Sequence, residues 1–194
     1  MNQQQLNDVW QRHLASCEPV AHLLRVQLAD RWVRFHSLPE SKRYPETEKE
    51  MAIVLGRHNA VISTLVGEER NVTLLSTEYS EAVSPHRSQL AELGLCKNEA
   101  PWRSVAMHKI GDDWGEPTYW HVFSSNVPWN PGTLDGVLRF VAVDKVANVM
   151  LMSSQGWLYH PYDGGADVVL PTQAERNLLA SEFSSWLSKH PAGL

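Results

Sequence analysis

The sequence predicts an α+β fold: a mixed or largely antiparallel sheet of about five strands flanked by amphipathic helices. Three observations predict it. The pairs Thr47/Glu50 and Thr172/Glu175 have capping-box spacing, and each opens a run of apolar residues at helical spacing. Short runs rich in β-branched and aromatic residues lie between and beyond these helices, several of them as hairpin-like neighbours. A composition of 43% hydrophobic and 20% charged residues over 194 positions is ordinary for a chain that buries a real core, so one domain spanning 1–194 is expected. A doubly wound α/β sheet is the alternative, because strands and helices alternate in places.

Taken in order, residues 3–16 carry Leu6, Val9, Trp10 and Leu14 at helical spacing and should form an amphipathic helix ending before Pro19. Residues 20–30 fit a strand through Leu24, Val26 and Leu28, or a helix through Ala21, Leu24, Leu28 and Trp32; the helix is preferred. Val33 and Phe35 then alternate with Arg34 and His36, the period of a short half-buried strand. Pro39 and Pro45 hold the residues before them extended, so 38–45 reads as a rigid loop. The helix capped by Thr47 puts Met51, Val54, Leu55, Val61, Ile62 and Leu65 on one face, and Gly67 suits its end. Residues 72–76 read as a buried strand, and 88–95 as a short helix closed by Gly94.

Residues 102–109 and 118–124 read as strands of a hairpin whose long connection carries Asp112, Asp113 and Glu116, solvated turn acids by expectation. Asn130 and Pro131 look like an N-cap and first helical residue, followed by Leu134, Val137, Leu138 and Val141. Residues 149–152, 157–159 and 168–170 are extended, the last after the turn signal Asp163-Gly164-Gly165. The final helix, capped by Thr172, is expected to bury Leu178, Leu179, Phe183, Trp186 and Leu187. Eight tryptophans are spread along the chain, which favours packing at the core edge with each indole N–H on a carbonyl.

Charge and motif content exclude several function classes. A net charge of −5 repels polyanions and argues against nucleic-acid binding. No run is long enough to cross a bilayer and the N-terminus lacks a signal layout, so no membrane association and a cytoplasmic location are expected. Cys17 and Cys96 have neither CxxC nor disulfide-framework spacing, which fits a reducing compartment and no zinc. No phosphate-loop, nucleophile-elbow or zincin motif occurs, so no cofactor is expected and no reaction class can be assigned. His160, Asp163 and Asp167 hold donor types that suit a metal, but turn chemistry explains Asp163 and the glycines without one.

The segment 31–45, RWVRFHSLPESKRYP, is where function is expected. Arg34, His36, Lys42 and Arg43 sit on or beside a proline-braced loop, with Arg57 and His58 on the helix that follows, and guanidinium groups offer paired donors to carboxylate or phosphate. The competing account is structural: Arg34 and Arg43 pair with Glu40, Glu46 or Glu48 while Lys42 is solvated, and His58 is a hydrogen-bonded core residue. The words FHSLPESKRYPE and WLYHPYDGGADVVLP, with the tail WLSKHPAGL, resemble an uncharacterised family of bacterial proteins, a domain of unknown function. The resemblance implies a bacterial origin and a shared surface at those two segments, and it carries no activity across. Three readings follow: a binding module for a protein partner or a small anionic ligand, an enzyme acting on a small anionic substrate with a histidine as general acid or base, or a structural subunit.

Overall fold

The computed structural model describes residues 1–15, 17–110 and 117–188; Asp112, Asp113 and Glu116 lie outside them, as does Trp114. Among the described residues the fold is α+β. In chain order it runs α1 (Gln3–Leu14), α2 (Ala21–Gln27), β1 (Trp32–His36), α3 (Glu48–Val66), β2 (Asn71–Ser80), α4 (Gln89–Glu92) and β3 (Ala100–Ala106). It continues with β4 (Tyr119–Pro128), α5 (Asp135–Ala142), β5 (Met150–Met152), β6 (Leu158–Tyr162), β7 (Gly165–Val169) and α6 (Gln173–Glu182).

The seven strands form one sheet in the order β1-β7-β6-β5-β2-β4-β3. Every pairing is antiparallel, which rules out the doubly wound alternative. The count exceeds the expected five because every extended run in the sequence joins the sheet. β2 and β4 pair over ten residues, from Asn71↔Pro128 to Ser80↔Tyr119, a longer ladder than the alternation in 72–76 or 118–124 indicates.

Helices cover both faces. On one, Val33, Phe35, Val72, Leu74, Leu151, Tyr159, Ala166 and Val168 pack with Met51, Val54, Leu55 and Ile62 of α3 and with Val137 and Leu138 of α5. On the other, Leu75, Met150, Met152, Leu158 and Val169 pack under Leu6, Trp10 and Leu14 of α1 and Ala21 and Leu24 of α2. Strand alternation sends neighbouring side chains to opposite cores, which is why a single strand contributes to both.

Three local expectations are corrected. Asn130 is not an N-cap: its backbone N–H donates to the Thr133 hydroxyl in a turn, and α5 begins only at Asp135, after Leu134. Leu178 does not face the core but is 72% exposed, whereas Leu179 and Phe183 are buried. The indole N–H groups of Trp32, Trp120 and Trp157 are buried without an acceptor, while Trp10 donates to the Cys17 carbonyl and Trp102 to Asn7. Cys17 and Cys96 are both buried and form no disulfide.

Candidate functional site

The antiparallel register of β1, β7 and β6 lays three rows of side chains across the face covered by α2. Trp32, Val169 and Leu158 make the first row, Arg34, Asp167 and His160 the second, and His36, Gly165 and Tyr162 the third. The first row is apolar and packs with α1 and α2, so the sheet face turns polar within one strand repeat. Over the polar rows opens a cleft of about 370 Å³, walled by His22 and Arg25 of α2, by Ser41 and Arg43 of the loop after β1, and by Asp163 and Gly164 of the β6–β7 turn. The glycine in the third row is obligatory. A Cβ on Gly165 would stand 2.1 Å from the Phe35 carbonyl oxygen and 3.1 Å from the Tyr162 hydroxyl, so any side chain would force β1 and β7 apart.

Two of the arginines are tied to aspartates. Arg34 donates from Nε to Asp167 Oδ1 at 2.7 Å and from Nη2 to Oδ2 at 3.1 Å, and its guanidinium lies over the rings of Trp32 and Tyr162 at 5.3 and 5.2 Å. Arg43 donates from Nε to Asp163 Oδ2 at 2.5 Å and lies over Tyr44. Both aspartates are buried, at 8% exposure for Asp163 and 7% for Asp167, so each needs its arginine. Arg25 makes no ion pair among the described residues.

The histidines of the cleft are held neutral. Burial lowers the His160 imidazole to about 4, with Asp167 opposing. Burial also lowers His36, helped by Arg34 and opposed by a hydrogen bond to the Gly164 backbone, and lowers His22, helped by Arg25. Tyr162 is pushed up, first by burial and then by Asp167. Nε2 of His36 and Nδ1 of His160 are buried and have no hydrogen-bond partner in the protein, an arrangement that costs free energy unless something else supplies one.

The six residues expected from the sequence divide. Arg34, His36 and Arg43 line the cleft. Lys42, although next to Arg43, turns to Glu50 at 2.7 Å and Glu46 at 3.1 Å. Arg57 and His58 belong to α3 on the opposite face of the sheet. Arg57 donates to the His36 carbonyl at 2.8 Å, and His58 is buried between the Ser37 hydroxyl and Tyr159. The structural account of the cations, which leaves Lys42 solvated, is therefore wrong for Lys42, which is ion-paired, and wrong in its partners for Arg34 and Arg43, which reach aspartates far away in sequence rather than Glu40, Glu46 or Glu48. Glu48 instead meets Arg139.

Sequence reasoning missed His22, Arg25 and Tyr162 as lining residues. The first two stand three apart on α2, a segment the sequence reads as helix in preference to strand, and that spacing is the signal that could have found them. The loop holds a further feature that only the structure reveals. Glu40 and Ser41 both adopt left-handed backbone, with φ of 56° and 58°, and Ser41 forms part of the cleft wall. Such residues cost of order 1–3 kcal/mol each and concentrate at functional sites. Among the described residues no group of three or more His, Cys, Asp and Glu side chains is placed to hold a metal ion, His160, Asp163 and Asp167 included. No helix among them is long and apolar enough to cross a membrane.

No curated protein and no solved structure matches the chain. A family does, across residues 20–191, a stretch that contains every element lining the cleft. The chain belongs to DUF3885, a domain of unknown function.

Proposed function

We propose that the chain, as one domain of a bacterial cytoplasmic protein, is a binding module for a small ligand that carries an anionic group, seated in the cleft between α2, β1 and the β6–β7 turn. The observation that carries this reading is the convergence of three guanidinium groups, one of them without a carboxylate partner among the described residues, on a concavity of about 370 Å³. That volume lies within the usual range for small-molecule sites, roughly 300–1,000 Å³. Arg25 is the anchor for the anion. Arg34 is braced by Asp167 and two rings and acts mainly as a positioning residue, while Arg43 keeps unused N–H donors facing the same space. Strained backbone at Ser41 and two orphaned imidazole nitrogens support a site completed by a ligand.

Binding is favoured over catalysis by the titration of the lining groups. A general acid or base working at neutral pH needs a pKa near 7, yet His160 sits at about 4, His36 and His22 are both lowered, and Tyr162 is raised. The test is thermal unfolding in sulfate, phosphate or acetate against chloride at matched ionic strength, for wild type and for Arg25→Gln. Wild type should be stabilised by about 2.7 kcal/mol at a hundredfold excess over Kd and the variant much less. Equal stabilisation of both proteins, or none of either, would refute the reading.

A further inference from the structure

The ion pairs fix the character of the ligand more narrowly than its charge alone. In each pair both partners retain hydrogen-bonding capacity beyond the ion pair itself, although Asp163 also takes a hydrogen bond from Tyr44. The bidentate Arg34–Asp167 pair uses Nε and Nη2 of the guanidinium and one lone pair on each carboxylate oxygen, which leaves Nη1 and further lone pairs. Arg43 uses only Nε, on one oxygen of Asp163. The cleft therefore presents donors and acceptors of opposite charge side by side, with Arg25 as an additional cation.

Such a surface holds a bare anion, through Arg25, but less tightly than a ligand that carries both charges. An anion drawn to Arg34 or Arg43 also meets the aspartate beside it, and two unit charges 4 Å apart interact by about 4 kcal/mol at an effective dielectric constant near 20, so repulsion there offsets the attraction and leaves Arg25 to hold the anion. A bare cation fares no better. A ligand with both charges separated by a few bonds gains from both. The Tyr162 hydroxyl lines the same cleft: burial pushes its ionisation up, Asp167 and Asp163 add to this, and Arg34 and Arg25 oppose it.

We propose that the ligand is a zwitterion of amino-acid size, its carboxylate held by Arg25 and the spare donors of Arg43, and its ammonium by the remaining lone pairs of Asp163 and Asp167. The inference rests on the reading of this cleft as an anion-binding site and narrows it. His36 and His160 are uncharged, so they add hydrogen-bonding capacity without altering the charge balance. Three guanidinium groups face two carboxylates, so acidic amino acids should rank above neutral ones and neutral above basic ones.

The test is ligand-observed NMR and calorimetry on the full chain with the free L-amino acids, followed by the N-acetyl derivative and the methyl ester of each one that binds. Acetate and phosphate serve as plain anions. The expected result is that at least one free amino acid binds and that blocking either end weakens it tenfold or more. In Asp163→Asn the free amino acid should lose most of its advantage, while the N-acetyl form binds as well as before or better, because Arg43 is released. If the N-acetyl form or acetate binds wild type as tightly as the free amino acid, the zwitterion is overturned and the anion site stands. If no amino acid, acetate or phosphate binds, both readings fall. Should Asp163→Asn not fold, the blocked and free ligands decide the matter on wild type alone.

Discussion

His58 shows how one residue can look functional in a sequence and be structural in the fold. It lies on α3 at 2% exposure, with Nδ1 2.5 Å from the Tyr159 hydroxyl and Nε2 3.2 Å from the Ser37 hydroxyl. A neutral imidazole satisfies this geometry, donating at one nitrogen and accepting at the other. Burial lowers its pKa to about 4, against roughly 6.5 in an unfolded chain. The sign follows from linkage. Above pH ~6.5 the ring is neutral in both states and has no effect; as pH falls toward 4 the unfolded chain takes up a proton that the folded one refuses, so stability drops by about 1.4 kcal/mol per pH unit. His58→Gln, which retains polar partners for both hydroxyls, should lower stability at pH 7 but show a shallower loss between pH 6 and pH 4. Denaturation curves collected across that range measure the slope, and an unchanged slope would mean that His58 is solvated. Gly165 is the other decisive residue: with 2.1 Å available to a Cβ, Gly165→Ala should cost about 1–3 kcal/mol or more by overpacking and should also abolish ligand binding in the cleft.

The elements were the most legible level, because capping and periodicity are local. Thr47 accepts from the Glu50 N–H at 3.2 Å and Thr172 from the Glu175 N–H at 3.2 Å, so both helices start where the sequence places them. Thr47→Ala and Thr172→Ala should each lower stability by about 1 kcal/mol, read from the denaturation midpoint at constant slope. Glu50 accepts from the Glu46 N–H and pairs with Lys42, so Glu50→Gln should cost more than a plain cap loss by also loosening the loop that ends at Pro45. Legibility failed where two local rules competed. At Asn130-Pro131 the cap signal is real chemistry, but Thr133 uses it to make a turn, and the helix starts later. At 163–165 the two glycines read as one turn, whereas Asp163 and Gly164 make the turn and Gly165 opens β7 because Phe35 crowds it. The two segments that line the cleft were each visible as surfaces of interest, but their meeting was not, since it depends on β1 pairing with β7 across most of the chain.

At the scale of the whole molecule, that pairing closes the fold. β1 stands at the edge of the sheet, and its strand partner comes from residues more than a hundred positions later. The bidentate Arg34–Asp167 pair fastens this junction, its members 133 positions apart in sequence and their side-chain exposures 13% and 9%. No sequence pattern announces such a partner, which explains why the nearby glutamates looked like the natural counter-ions. Removing one member of a buried pair leaves the other charge uncompensated and typically costs 3–5 kcal/mol, whereas replacing both with apolar residues of similar size is often neutral. Arg34→Met should therefore destabilise the chain by about 3–5 kcal/mol, Asp167→Leu by a similar amount, and the double variant by far less than their sum. A double-mutant cycle in chemical denaturant measures the difference. Near-additive losses would show that the two groups act independently and that water, not the ion pair, balances Asp167. The double variant carries a second consequence, because it removes one donor–acceptor pair from the cleft while keeping Arg25, Arg43 and Asp163. If the cleft binds its ligand as proposed, this variant should fold with near-native stability and yet bind free amino acids more weakly than wild type, which separates the role of the pair in holding β1 from its role in the site.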